Sequence, residues 1–338
     1  MPRPPEKIVF AGIVLAFAIL PALVTNQGFI NVLVNAGIFM LLAIGLNIVV
    51  GFAGLLDLGY AAFFAIGSYT YAMCASGQFG LHLPFWPMLV VSALIAALFG
   101  IILGAPTLRL RGDYLAIVTL GFGEIVPQTF LNLEQFTGGP NGISAIDSAR
   151  IGPYVFGLNP VPYYYVVVVL IVLSLIATVN VRDSRLGRAW MALREDEVAA
   201  AHMGINTTTA KLAAFALGAS FSGLAGVVNA ALLTLVSPDE FKFNVSITVL
   251  AMLVLGGMGS LTGVVVGSAL LSLLNFFVLP QATVIAQQFG LNLDFTNYRF
   301  MIYGFILIFI MLFRPEGLIP SGQRKAELRA SRVETEST

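Results

Sequence analysis

Eight formally charged residues crowd into RDSRLGRAWMALREDEVAAAHMGIN (182–206), in a chain where only 10% of residues are charged. They are Arg182, Asp183, Arg185, Arg188, Arg194, Glu195, Asp196 and Glu197. The chemistry this spacing suits is ion pairing with another protein rather than bond breaking. Ser184 is placed to cap a helix and Gly204 to stop it, so a helix is predicted between them. Arg188, Arg194, Glu195, Asp196 and Glu197 would make polar contacts, and Ala199, Ala200 and Gly204 would allow close approach to a groove. The alternative is a solvated connector, the usual fate of a charge run.

A second set of residues has the chemistry of solute coordination. Two apolar stretches are interrupted by glycine: GLNIVVGFAGLLDLG (45–59) and VLGGMGSLTGVVVG (254–267). Irregular backbone at membrane depth needs cover from protein or a water-filled cavity. Breaks of this kind leave free N–H and C=O groups that a polar solute can use. Asn47, Gly51, Gly54, Gly256, Gly257 and Gly259 are therefore translocation-path residues on one reading. On the other, the glycines only let helices pack closely. Glu124 sits well inside an apolar run, where a charge costs about 2.5–3.5 kcal/mol to insert. It is read as a path residue, as a structural ion pair with a neighbouring arginine, or as the ion site of a secondary transporter. Asp57 and Asp113 fall at span ends and are read as solvated.

Other chemistries lack their residues. The lysines are Lys7, Lys211, Lys242 and Lys325, and none follows a glycine, so no Walker-type phosphate loop exists. His82, His202 and the lone Cys74 have no metal-ligand spacing and no disulfide framework. No nucleophile–histidine–carboxylate cluster is evident. Net charge is zero, which gives no bulk attraction to nucleic acid. The chain is read as non-catalytic, with no cofactor of its own.

The elements that hold these residues are apolar. Hydrophobic residues make up 58% of the chain. Apolar runs at 8–24, 30–50, 58–76, 85–105, 114–131, 162–180, 211–236, 246–257, 261–279 and 299–313 predict an all-α polytopic membrane bundle of roughly eight to ten spans with broken or re-entrant helices. The run 8–24 is read as a retained span, a signal peptide being the alternative. Basic clusters at Arg3/Lys7, Arg109/Arg111, Arg182–Arg194 and Arg314–Arg332 fall on one side of a ten-span count. That predicts both termini in the cytoplasm. Residues 1–318 are read as a single transmembrane domain and 319–338 as a polar cytoplasmic tail.

Several blocks resemble a known family. EVAAAHMG (197–204) is similar to the EAA loop of ABC importer permeases, although Val198 stands at that motif's glutamate position. GLNIVVGFAGLLDLGYAAFFAIGSY (45–69), LRLRGDYLAIVTLGFGEI (108–125), TGGPNGIS (137–144), SRLGRAWMALREDEVAA (184–200), SPDEF (237–241), VLGGMGSLTG (254–263) and FRPEGL (313–318) resemble the LivM-type permeases of branched-chain amino-acid ABC importers. The resemblance implies a bacterial inner-membrane subunit forming half of a path for leucine, isoleucine and valine. It implies a second, LivH-like permease, two cytoplasmic ATPases that bind ATP and Mg and grip the 182–206 loop, and a periplasmic substrate-binding protein. Related permeases carry urea, amides or other amino acids.

Overall fold

The computed structural model describes residues 26–107, 110, 112–290 and 293–319. The run 8–24, Arg109, Arg111 and all but the first residue of the tail lie outside them. Thirteen helices appear among the described residues: α1 Gln27–Leu46, α2 Ala61–Cys74, α3 Phe85–Thr107, α4 Asp113–Asn132, α5 Glu134–Thr137, α6 Pro160–Arg182, α7 Arg185–Glu195, α8 Glu197–His202, α9 Thr207–Leu233, α10 Phe243–Gly256, α11 Leu261–Leu273, α12 Leu279–Gln288 and α13 Arg299–Phe313. π-Helical turns extend α1 over Asn47–Phe52 and join α11 to α12 over Leu274–Val278. Six of the continuous apolar helices are long enough to cross a membrane, and α2 and α13 are shorter apolar helices. The chain is a multi-pass, all-α membrane protein.

From Ala36 onward α1 is apolar on every side, and a helix of that kind belongs in a core. Leu41, Leu42, Ala43, Ile44 and Leu46 are fully buried, and α6, α9 and α11 surround it. α9 is buried for a different reason. Its small residues let neighbouring backbones approach, as small-residue interfaces do in lipid: Gly223 lies against Ala96 and Ser92 of α3, and Gly226 against Phe64 and Ser68 of α2. The outward faces of α3, α6 and α13 carry exposed Leu94, Leu98, Leu173, Phe305 and Phe309.

The two ends of the bundle differ. At one end four two-residue strands form two small antiparallel sheets: β1 Ile143–Ser144 pairs with β4 Leu235–Val236, and β2 Arg150–Ile151 with β3 Tyr154–Val155. Tyr71 Oη donates to the Asp147 carbonyl at 2.6 Å, Tyr163 Oη to the Ala231 carbonyl at 2.9 Å, and Trp86 Nε1 to the Arg150 carbonyl at 2.9 Å. This is the hairpin end. The other end holds α7 and α8 and is the charged end.

At the hairpin end, Glu240 lies in a short 3-10 turn, Pro238–Phe241. Burial pushes its carboxyl up from 4.5 to about 7, opposed by a hydrogen bond from Asn229 Nδ2. The folded state therefore binds this proton more tightly than the unfolded chain. Glu240's contribution favours the fold in acid and is lost as pH rises from 4.5 through about 7. The thermal midpoint is expected to fall across that window, and Glu240→Gln to flatten the fall. An unchanged slope in the variant would assign the effect to another group.

One expectation changes with the structure. Asp57 is buried rather than solvated at a span end; its Oδ1 accepts from Gly59 N at 2.9 Å. Runs 246–257 and 261–279 are separate helices in a tight hairpin, because glycine lets α10 and α11 nearly touch: a Cβ on Gly267 would lie 2.5 Å from the Met252 carbonyl.

Candidate functional site

The charged segment folds as two helices instead of one. Ser184 caps α7, its Oγ accepting from Leu186 N at 3.2 Å and Gly187 N at 3.4 Å. Asp196 then leaves the helical region, with φ −153° and ψ 112°. Its Oδ1 accepts from Val198 N at 2.7 Å and Ala199 N at 3.0 Å, starting α8 as an N-cap. Asp196 is the residue that splits the predicted helix, since a carboxylate so placed competes with the continuing ladder. Gly204, at φ 84°, ends the segment. Asp196→Ala is expected to cost about 1 kcal/mol and to raise amide exchange in 197–202 without affecting α7; equal exchange in both proteins would refute the capping role.

Each charge in the loop has its own place. Arg182 Nε donates to Asp183 Oδ1 at 3.0 Å, and that bond holds the Asp183 carboxyl below its ordinary range. Arg188 Nη1 donates to the Asp183 carbonyl at 3.0 Å. Glu197 Oε1 lies 2.7 Å from Lys211 Nζ, whose side chain is 3% exposed. Glu195 and Ala199 are exposed, while Ala200 is buried. Val198 and Met203 are exposed apolar side chains on this surface, Met203 at 83%. Composition singled out the charges and passed over these two, and nothing in the sequence marked Lys211 as the partner of Glu197.

Arg194 reaches away from the loop. Its Nη1 donates to the Gly51 carbonyl at 2.7 Å, and Gly54 packs against its side chain. Trp190 Nε1 donates to the Ala210 carbonyl at 2.7 Å, which fixes α7 to the start of α9.

The two glycine breaks meet. Asn47 is fully buried at the start of the first break, and its Oδ1 accepts from Gly259 N of the second at 2.9 Å. Asn47 Nδ2 has no hydrogen-bond partner among the described residues, which costs about 1–3 kcal/mol for a buried donor. The second break bends through Gly257 at φ 112° and Gly259 at φ 81°, a region that glycine enters readily. Residues after α13 close over it: Leu318 N donates to the Leu255 carbonyl at 2.9 Å and Ile319 N to the Gly256 carbonyl at 3.0 Å. Asn47, Gly51, Gly54, Arg194, Gly256, Gly257 and Gly259 thus form one connected seam at the charged end.

Glu124 is elsewhere. It is exposed on α4 and lines a cavity of about 380 Å³ together with Pro238, Asp239, Lys242, Phe243 and Asn244, at the hairpin end. No arginine pairs with it among the described residues. No cluster of three or more His, Cys, Asp or Glu side chains able to hold a metal occurs among the described residues.

A family model described as "Branched-chain amino acid transport system / permease component" matches residues 28–311. The chain is 40% identical to the high-affinity branched-chain amino acid transport system permease protein LivM of Escherichia coli (strain K12), over 96% of this chain and 77% of that protein. It is 39% identical to the protein of the same name from Salmonella typhimurium, over 98% of this chain and 79% of that one. It is also 25% identical to the permease protein LivH of Escherichia coli (strain K12), over 83% of this chain and 91% of that protein. No solved structure matches the chain. With its membrane helices, its paired breaks and this match over most of its length, the chain belongs to the permease components of branched-chain amino acid transport systems.

Proposed function

We propose that this chain is one of two unlike permease subunits in an ATP-driven importer of leucine, isoleucine and valine in the bacterial inner membrane. A LivH-like subunit supplies the other half of the path. Two ATPases, which bind ATP and Mg, dock on the cytoplasmic surface formed by α7 and α8. A periplasmic binding protein delivers the solute to the hairpin end. The chain itself contributes shape, hydrogen bonds and movement.

The observation that carries this reading is the hydrogen bond from Arg194 to the Gly51 carbonyl. It ties the docking helix directly to the first break, and Asn47 ties that break to the second. Closure of the ATPase pair displaces α7, and the seam moves with it as a unit. Packed interfaces favour two discrete arrangements over continuous bending. Arg188, Glu195, Ala199, Val198 and Met203 form the docking surface. Arg194, Glu197 and Ala200 hold the loop in shape from within, Asp196 caps α8, and Gly204 ends it.

The test is reconstitution in vesicles of the two permeases and two ATPases, with the binding protein added. Leucine uptake is expected to require ATP and all partners. Glu195→Lys with Met203→Glu is expected to lower leucine-stimulated ATP hydrolysis while the subunit still inserts. Normal coupling in that variant, or uptake by this chain alone along an ion gradient, would reject the reading.

A further inference from the structure

The cavity around Glu124 is separate from the seam and has a chemistry of its own. At about 380 Å³ it falls within the range of small-molecule pockets, about 300–1,000 Å³. Glu124 and Gln128 project from α4, and Lys242 and Asn244 from the start of α10 and the residue before it. Leu131 and Phe243 add apolar surface. One wall offers the Glu124 carboxylate, and the other the Lys242 ammonium beside an amide, together with the exposed Asp239 carboxylate that pairs with it.

Two further observations point to a ligand. First, Glu124 is exposed on a membrane helix, and a carboxylate there is not turned to lipid, so water, a solute or the second permease must cover it. Second, the partner that Lys242 holds among the described residues is a solvent-exposed one, Asp239, at 2.9 Å. Exposed pairs are worth about 0–1 kcal/mol, so the ammonium can change partner at little cost.

We propose that this cavity is an amino-acid half-site at the delivery mouth: Glu124 receives the α-ammonium, Lys242 and Asn244 receive the α-carboxylate, and Leu131 and Phe243 face the aliphatic side chain. The proposal rests on the importer reading and adds to it a first station on the path, away from the glycine seam. It requires both charges on the ligand. A branched amine lacking the carboxylate, or a branched acid lacking the ammonium, meets only one wall.

The experiment is thiol protection in vesicles holding the whole complex. Cys74 is the sole cysteine, so Cys74→Ser with Gln128→Cys places a single thiol at the cavity. L-Leucine is expected to slow its labelling by a small maleimide several-fold, and isoamylamine and 4-methylpentanoate are expected to leave it unchanged. Glu124→Gln added to this background should remove the protection, and Glu124→Asp should retain part of it. In the unlabelled complex, Glu124→Gln should raise the KM for leucine more than it lowers maximal uptake. Absence of protection by leucine, protection that survives Glu124→Gln, or equal protection by the amine alone would each overturn the half-site. Loss of ATP-dependent leucine uptake by the wild-type complex would instead count against the importer reading.

Discussion

Gly51→Ala is expected to reduce leucine uptake by about tenfold or more while the protein still reaches the membrane. A Cβ at residue 51 would collide with Asn47 Oδ1 and lie 2.7 Å from Gly259 N. Neither neighbour is free to retreat, because those two atoms are bonded to each other. Overpacking of this kind costs about 1–3 kcal/mol, and each 1.4 kcal/mol is about a tenfold change in an equilibrium. The strain falls on the contact between the two breaks, so the relative population of their arrangements shifts. Asn47→Ala added to Gly51→Ala should recover only part of the loss, since the Gly259 backbone stays in the way. Uptake and thermal midpoint, measured on the two variants and the wild type, check this. Wild-type uptake by Gly51→Ala would show that the seam does not move with transport.

The pair Glu197–Lys211 should give the largest stability effect among the loop charges, and an unequal one. The Lys211 side chain is 3% exposed and the Glu197 side chain 21%. Removing one member of a buried pair typically costs about 3–5 kcal/mol, because the other charge keeps its desolvation without its counter-charge. Glu197→Gln exposes the more deeply buried partner to that penalty. Lys211→Met leaves a carboxylate that water can reach, so its cost should be smaller. The double variant should lie closer to wild type than Glu197→Gln does. Denaturation midpoints of the three proteins settle the order; equal losses would overturn the asymmetry, and a double variant at the sum of the singles would mean the two charges act independently.

Helix positions were legible because lipid forces long apolar runs and turn residues punctuate them. The charged loop, its Ser184 cap and its Gly204 stop were equally plain. Orientation rests on basic clusters, of which Arg182–Arg194 and Arg314 lie within the described residues. The division of α7 from α8 was not legible, since Asp196 reads equally as a docking charge or a cap until its backbone angles are known. The fate of Asp57 was hidden too. Its neighbours Leu58 and Gly59 suggest a loop edge, and only the approach of Thr119, which accepts from Leu58 N at 3.0 Å, shows that α4 covers it. The glycine clusters announced breaks, but residues 47 and 259 are joined by a contact spanning most of the chain, and no local pattern encodes that pairing. The proposed docking surface was read from charge, whereas Arg194 and Glu197 turn inward, Asp196 caps α8, and two uncharged side chains, Val198 and Met203, face out.

The tryptophans have a practical consequence. The chain has only two: Trp190, fully enclosed where α7 meets α9, and Trp86, 43% exposed beside the strand pairs. Intrinsic emission therefore divides into a shielded blue component from one end and a quencher-accessible red component from the other. Stopped-flow fluorescence with Trp86→Phe and Trp190→Phe could time the arrival of cargo and the pull of nucleotide separately, without attaching a dye.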